Sequence, residues 1–401
     1  MYVKFQRTFY PIGQGAFYGE KFYLPDGSEF NMVYDCGSLK PNPRSDAGKR
    51  INKIIEDFSS KIIDILFISH FHEDHINKIK LLSQNREIKR VVLPFLYDEY
   101  KANLVTFNKF IGNNIVADFL INPQEFFNQE TQIIYVNPME EGQSFDEGSA
   151  EISIDELQRG TNINSGTQIY FSNKIGSCNK KLWLYIPFNL NFSKGNSILN
   201  EKLKELKISQ KKMEDKLPKN EQIFDIDGTK KKVTKKMREI YSEIESNINN
   251  TSMIVLSTSF ICNFISNINL FHRYKQLCCQ CRLCHHTYHN KCGCLYTGDI
   301  TLEKILNEHS FFKMISSKHF HKIGTIQVSH HGSIDSFNID FFNKIRDVDN
   351  ISLVCPISFG LENNHGHPSM KVLQQLLREG YYPVLITEDK DSVFIDTYVI
   401  T

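Results

Sequence analysis

Three histidines and an aspartate fall within six residues, His70-Phe71-His72-Glu73-Asp74-His75, directly after the apolar run Ile62 to Ile68. In an extended loop alternate side chains point the same way, so His70, His72 and Asp74 converge, and His75 follows from the turn into a helix. One short run can therefore line two adjacent metal pockets. Imidazole and carboxylate together suit zinc, manganese or iron and disfavour calcium. Three distant segments offer further donors: Tyr296-Thr297-Gly298-Asp299, Ser329-His330-His331-Gly332-Ser333, and Asn364-His365-Gly366-His367-Pro368. Each follows an expected strand and precedes a helix or loop, which is where side chains gather at an active site. A carboxylate at Asp299 would be placed to bridge two ions. Taken singly, each segment also reads as an ordinary turn or a surface histidine.

Two other segments carry chemistry of a different kind. Six of the ten cysteines crowd between Cys278 and Cys294, among His285, His286 and His289. Cys281, Cys284, His285, His289, Cys292 and Cys294 offer a tetrahedral structural zinc site, although the spacing departs from two Cys-x-x-Cys knuckles. The competing reading is a reduced, cysteine-rich hairpin tip. Lys230, Lys231, Lys232, Lys235 and Lys236 sit in a lysine-rich stretch that could track a phosphate backbone or be a solvated helix face.

Regular elements must bring these segments together. Tyr2 to Phe9 alternates apolar and polar residues and Gly13-Gln14-Gly15 breaks it. Phe30 to Tyr34 is a second strand ending at Asp35-Cys36-Gly37-Ser38, Ile51 to Phe58 has helical spacing, and Ile62 to Ile68 reads as a buried central strand interrupted only by Asp64. Helical periodicity follows from Ile76 to Leu82, and strands and helices alternate to about Asn191. Residues 195–248 are rich in Lys, Glu and Leu and read as a helical insertion of two arms, broken at Asp225-Ile226-Asp227-Gly228. Strands return at Ser252 to Leu256, Thr325 to Ser329, Ser352 to Ile357, Tyr382 to Thr387 and Ser392 to Asp396. A helix from Ser369 to Arg378 stops at Gly380.

Length and composition bound the answer. At 401 residues the chain exceeds the roughly 100–200 residues of one ordinary domain. Its 41% hydrophobic and 23% charged residues belong to a folded globular protein rather than a disordered one. A formal net charge of +1 gives no global pull toward nucleic acid, so any such case must be local. The first 20 residues lack a secretory signal, and no apolar run approaches the roughly 18 residues of a membrane span. A cytoplasmic protein without a membrane partner is expected.

The order His-x-His-x-Asp-His, Gly-Asp, His-His-Gly-Ser and Gly-His-Pro resembles the metallo-β-lactamase superfamily, closest to the hydrolase domain of the competence DNA-uptake protein ComEC. Gly13-Gln14-Gly15, Tyr34-Asp35-Cys36-Gly37 and Asn250-Thr251-Ser252-Met253-Ile254-Val255 resemble that family's strands, as does the tail from Ile357 to Ile395. The resemblance implies an α/β fold, an αββα sandwich over residues 1–401, carrying the Lys-rich helical insertion at 195–248 and a Cys/His-rich insertion at 262–294. It implies that His70 and His72 bind a first divalent ion, zinc or manganese, that Asp74, His75 and His367 bind a second, and that Asp299 bridges them. Asp35 would orient ligands without binding metal. Asp74 would also act in catalysis, with His330 and His331 facing the substrate or assisting its leaving group, or one of them ligating. The chain departs at Ala16, where the family has Asp, and at Asn250 and Ser252, where many members supply a further histidine.

The function implied is a metal-dependent hydrolase, a phosphodiesterase or nuclease acting on DNA or RNA through a metal-activated hydroxide. A metallohydrolase of a cyclic nucleotide, lactone or thioester, and a non-catalytic nucleic-acid-binding or scaffold protein, are the rival readings. The helical insertion would offer a surface to a protein partner.

Overall fold

The computed structural model describes residues 2–40, 44–139, 150–175, 178–190, 201–202, 204, 223–226, 229–232, 243–244, 248–260, 291–307, 311–312, 315, 317–346 and 353–400. Two eight-stranded mixed sheets carry the fold. In spatial order the first consists of Asn162–Asn164, Gln132–Asn137, Arg90–Pro94, Ile65–Phe67, Glu29–Lys40, Gln14–Tyr23, Val3–Phe9 and Phe394–Ile400. The second runs Tyr382–Ile386, Val354–Ser358, Ile323–Ile326, Gly293–Tyr296, Ile254–Ser259, Cys178–Phe188, Gln168–Ile175 and Glu151–Ser153.

Period-two alternation explains how these strands stack into layers. Met32, Tyr34, Ile65 and Phe67 face the second sheet and share a core with its Trp183, Tyr185, Val255 and Tyr296. Their neighbours Val33 and Leu66 point the other way, into a core shared with Ile51 and Ile55 of the helix Asp46–Glu56 and Leu104 of the helix Asp98–Ile111. Ile254, Leu256 and Leu295 pack outward on the helices Leu302–Asn307, Ile339–Ile345 and Met370–Arg378. Three apolar layers between four structural layers make an αββα sandwich. Among the described residues no helix is long and apolar enough to cross a membrane.

Several elements differ from the sequence reading for definable reasons. The apolar run at 62–68 is split in two: Ile62–Ile63 pairs with Glu87–Ile88, and only Ile65–Phe67 enters the large sheet. Asp64 causes the break, its carboxylate accepting from Asn31 N at 2.8 Å and pairing with Lys89 Nζ at 2.8 Å. The helix expected over 76–82 is two short turns, Glu73–Ile76 and Ile79–Ser83.

Within the 195–248 insertion, the point read as a break between helical arms is a two-stranded antiparallel hairpin, Ile223–Ile226 with Thr229–Lys232. The sequence between these strands, Asp227-Gly228, is the pair favoured in two-residue hairpin links, a signal that outweighs the helix propensity of the lysines beside it. Lys230, Lys231 and Lys232 therefore lie on a strand rather than a helix, while Lys235 and Lys236 lie outside the described residues.

Phe188 and Ile254 pair across adjacent antiparallel strands, so the chain leaves the second sheet at Phe188 and rejoins it at Ile254 on the end where Gly293–Tyr296 runs out toward Asp299. The segment 262–294 spans Ser259 to the start of that strand, at the other end. Cys281, Cys284, His285 and His289 lie outside the described residues. Cys292 and Cys294 are free thiols in the core between the sheets, and burial pushes both up to about 12.

Candidate metal centre

The loop that follows Ile65–Phe67 lies on a floor of glycines. A Cβ on Gly37 would stand 2.4 Å from the carbonyl carbon of Asp74, and one on Gly15 would stand 2.8 Å from its carbonyl oxygen. Only hydrogen at these positions lets the backbones of three segments stack beneath the histidine run. Within the strand Glu29–Lys40, Asp35 adopts a left-handed conformation at φ 57° and turns its carboxylate under the same loop. There it accepts from Ser69 N at 2.7 Å, Ser69 Oγ at 2.7 Å and His75 Nδ1 at 2.8 Å.

Asp299 arrives from the second sheet. Gln327 Oε1 accepts from Thr297 N at 3.0 Å and Gly298 N at 3.2 Å, and Ser252 Oγ accepts from Asp299 N at 3.1 Å. His330 and His331 follow Ser329 with φ of 50° and 54°, a rare conformation for side chains of this size. That turn aims His331 inward, where its Nδ1 donates to Ser358 O at 2.8 Å and its Nε2 stands 3.1 Å from Asp74 Oδ2.

Two groups of donors result, each with all its ligand atoms within 4.8 Å of one another: Asp74, His75, Asp299 and His331, and His70, His72 and Asp299. Asp299 belongs to both, with Oδ1 3.4 Å from His75 Nε2 and Oδ2 4.0 Å from His70 Nε2. The Nε2 atoms of His70 and His75 and the Oδ1 of Asp299 are buried without a hydrogen-bond partner. Buried polar atoms in native proteins are paired almost without exception, so three converging orphans in one pocket fit a cation. Imidazole nitrogen and carboxylate oxygen are the donors that zinc and manganese accept.

The electrostatics divide the two groups. Burial, reinforced by neighbouring histidines, pushes His70 well below 6.5, and burial takes His72 to about 4, so both rings are neutral. Burial also opposes charge on His75 and His331, but the carboxylates of Asp299, Asp35 and Asp74 around the first, and of Asp299 and Asp74 around the second, outweigh it and raise both. Asp74 and Asp299 are held below the usual carboxylate range, with the cost of burial overcome by His75 and His331. Asp35 is raised, because its burial exceeds the help it receives from His75 and Ser69.

His70, His72, Asp74, His75 and Asp299 converge, and Asp35 lies beneath them without joining a donor group. His367, which the resemblance placed with Asp74 and His75, is in neither group; His331 stands in that position. Asn363 holds the His367 backbone, accepting from its N at 3.0 Å and donating to its O at 2.7 Å, and the ring lies 5.3 Å from that of His330. His330 Nδ1 meets Ser336 Oγ at 2.8 Å and its Nε2 meets Asn249 Nδ2 at 3.3 Å, with 26% of its side chain exposed at the mouth of the site. Ser69, Asn249 and Ser358 went unnoticed in the sequence. Only Ser69 carried a signal, as a hydroxyl placed next to the first histidine.

No protein-family model and no curated protein matches the chain. Among solved structures, a long form RNase Z from yeast is similar to it, with 10% identity and a TM-score of 0.32. That alignment covers 100% of this chain and 42% of the RNase Z chain, so the chain spans less than half the length of that relative.

Proposed function

We propose that this chain is a metal-dependent hydrolase of phosphodiesters, a nuclease acting on DNA or RNA, with zinc or manganese held by His70, His72, Asp74, His75, Asp299 and His331. The observation that carries this reading is the pair of donor groups sharing Asp299, with the Nε2 atoms of His70 and His75 bare and buried. Bound divalent ions supply Lewis-acid charge and lower the pKa of water toward about 7. Asp74, its oxygens directed at His75 and His331, is the group that positions that water. His330 stands outside both groups, its side chain 26% exposed, where it can face substrate or assist a leaving group. Asp35 holds the His75 ring through Nδ1, leaving Nε2 for the ion.

A polymeric substrate is favoured by where the 195–248 insertion is rooted. Asn189, at the end of one of its flanking strands, donates to Phe95 O at 3.1 Å, and Asn249, at its return, touches His330. By sequence, the lysines at 230–232, 235 and 236 belong to a segment whose return, at Asn249, meets His330, which suits it to contacting backbone phosphates near the site. The motif order that resembles the competence hydrolase domain favours the same substrate. A cytoplasmic setting goes with the free thiols of Cys36, Cys292, Cys294 and Cys355.

Gel digestion of single-stranded and duplex DNA and RNA, run beside bis-p-nitrophenyl phosphate hydrolysis, tests the reading. Wild type should cleave in zinc or manganese and stop with chelator, and Asp74→Ala should be inactive. Phosphodiester cleavage untouched by both treatments, or turnover of lactones alone, would overturn it.

A further inference from the structure

We propose that the Ser69 hydroxyl decides which nitrogen of His70 carries the proton, and thereby keeps the His70 Nε2 lone pair open to an ion. The inference rests on reading His70, His72 and Asp299 as an ion pocket, and it concerns a residue that is not itself a donor there.

The assignment follows from counting protons. A serine hydroxyl has one proton to give and two lone pairs to receive with, and an ionised carboxylate only receives. Ser69 Oγ stands 2.7 Å from Asp35 Oδ2, 2.9 Å from His70 Nδ1 and 3.2 Å from His75 Nδ1. At 2.7 Å from a carboxylate oxygen, the serine proton must point at Asp35; otherwise two sets of lone pairs face each other. Asp35 Oδ2 also lies 2.8 Å from His75 Nδ1, which fixes a proton on that nitrogen. With its own proton committed to Asp35, Ser69 Oγ can only accept from His70, so His70 Nδ1 is the protonated nitrogen.

One hydroxyl and one carboxylate in this way hold both rings through Nδ1, turning toward an ion the two Nε2 atoms that have no hydrogen-bond partner. Ser69 is itself pinned. Its N–H goes to Asp35 Oδ1 at 2.7 Å, and its carbonyl accepts from Met253 N of the second sheet at 2.7 Å. It is wholly buried, so water does not compete for the hydroxyl.

His75 keeps Asp35 when Ser69 is removed, whereas His70 loses the acceptor for its Nδ1 proton. The two pockets should therefore respond unequally. In Ser69→Ala the His70 tautomer with Nε2 protonated gains population, and binding in the His70/His72/Asp299 pocket weakens by about 10- to 100-fold, the usual effect of losing a group that orients a ligand. The Asp74/His75/Asp299/His331 pocket changes far less. Ser69→Thr keeps the hydroxyl and restores both.

The test uses the full chain, metal-free and labelled with 15N-histidine. Long-range proton–nitrogen correlation spectra report the protonated ring nitrogen, with His70 assigned from His70→Gln. The expected result is Nδ1–H in wild type, a shift toward Nε2–H in Ser69→Ala, and, in zinc titrations, loss confined to one of two binding steps. His70 protonated on Nε2 in wild type overturns the proposal without any variant, as does a Ser69→Ala chain that keeps both its tautomer and its affinity. Wild type that shows Nδ1–H and binds no zinc would instead remove the ion-pocket reading and leave the Ser69 assignment standing.

Discussion

Adding one methyl group at Gly37 should empty the metal centre without touching any of its donors. An ideal Cβ there lies 2.4 Å from the carbonyl carbon of Asp74, 2.5 Å from its oxygen and 2.6 Å from the nitrogen of His75. Non-bonded carbon atoms settle at about 3.5–4.0 Å. The Asp74–His75 peptide must therefore retreat by about 1 Å, and no flexible side chain is available to yield instead. Ligand distances in metal sites tolerate about 0.2 Å, so a shift of that size breaks coordination by two donors at once. Misplacement of about 1 Å typically costs about 100-fold in rate, and overpacking of this kind about 1–3 kcal/mol in stability. The assay is elemental analysis and zinc calorimetry on Gly37→Ala, with a thermal melt of the metal-free chain to show that the fold survives. A folded Gly37→Ala chain with the zinc stoichiometry and affinity of wild type would refute the reasoning.

Two further outcomes follow from the electrostatics. Since His75 and His331 hold protons above pH 6.5 in the absence of metal, an ion entering their pocket must displace them, so affinity there falls as pH drops. His70 and His72 are already neutral, and their pocket should fill without proton release; calorimetry in buffers of different ionisation enthalpy separates the two steps. Away from the site, Glu20 accepts from Arg7 Nε at 2.8 Å, Tyr185 Oη at 3.1 Å and Tyr296 Oη at 3.0 Å in the dry core between the sheets. Glu20→Ala leaves the Arg7 charge buried beside Asp396, 3.6 Å away, and the carbonyl of Cys292, and urea denaturation should show a loss of about 3–5 kcal/mol; a loss below about 1 kcal/mol would mean that Glu20 is not a tie between the sheets.

The layers of the sandwich were legible because alternation along a strand reports directly which side is apolar, and the strands near 30, 254 and 382 appear where that pattern lies. The histidine run was legible as a cluster of donors, but alternation along an extended loop is not what places them: Asp74 lies in the helical turn Glu73–Ile76 and groups with His75, whereas His70 and His72 form the other group. What could not be read was geometry created by other parts of the chain. The left-handed turn at His330 and His331 is a conformation that histidine adopts only uncommonly, so nothing in His-His-Gly-Ser says that His331 rather than His367 will reach Asp74. Asp64 looked like an interruption of one strand because its partners, Asn31 and Lys89, are 33 and 25 residues away. The hairpin at 223–232 had a local signal in Asp227-Gly228, overshadowed by the surrounding lysines.

The donors of the centre come from both halves of the sandwich: His70, His72, Asp74 and His75 from the loop of the first sheet, Asp299 and His331 from the second. An ion held there would act as a rivet through the seam, bound only when both plates are aligned. Such a ligand adds to folding by mass action, about 4 kcal/mol at a thousandfold excess over its dissociation constant. The supply of trace metal in a cell would then govern how long each copy of this chain escapes degradation as well as whether it works.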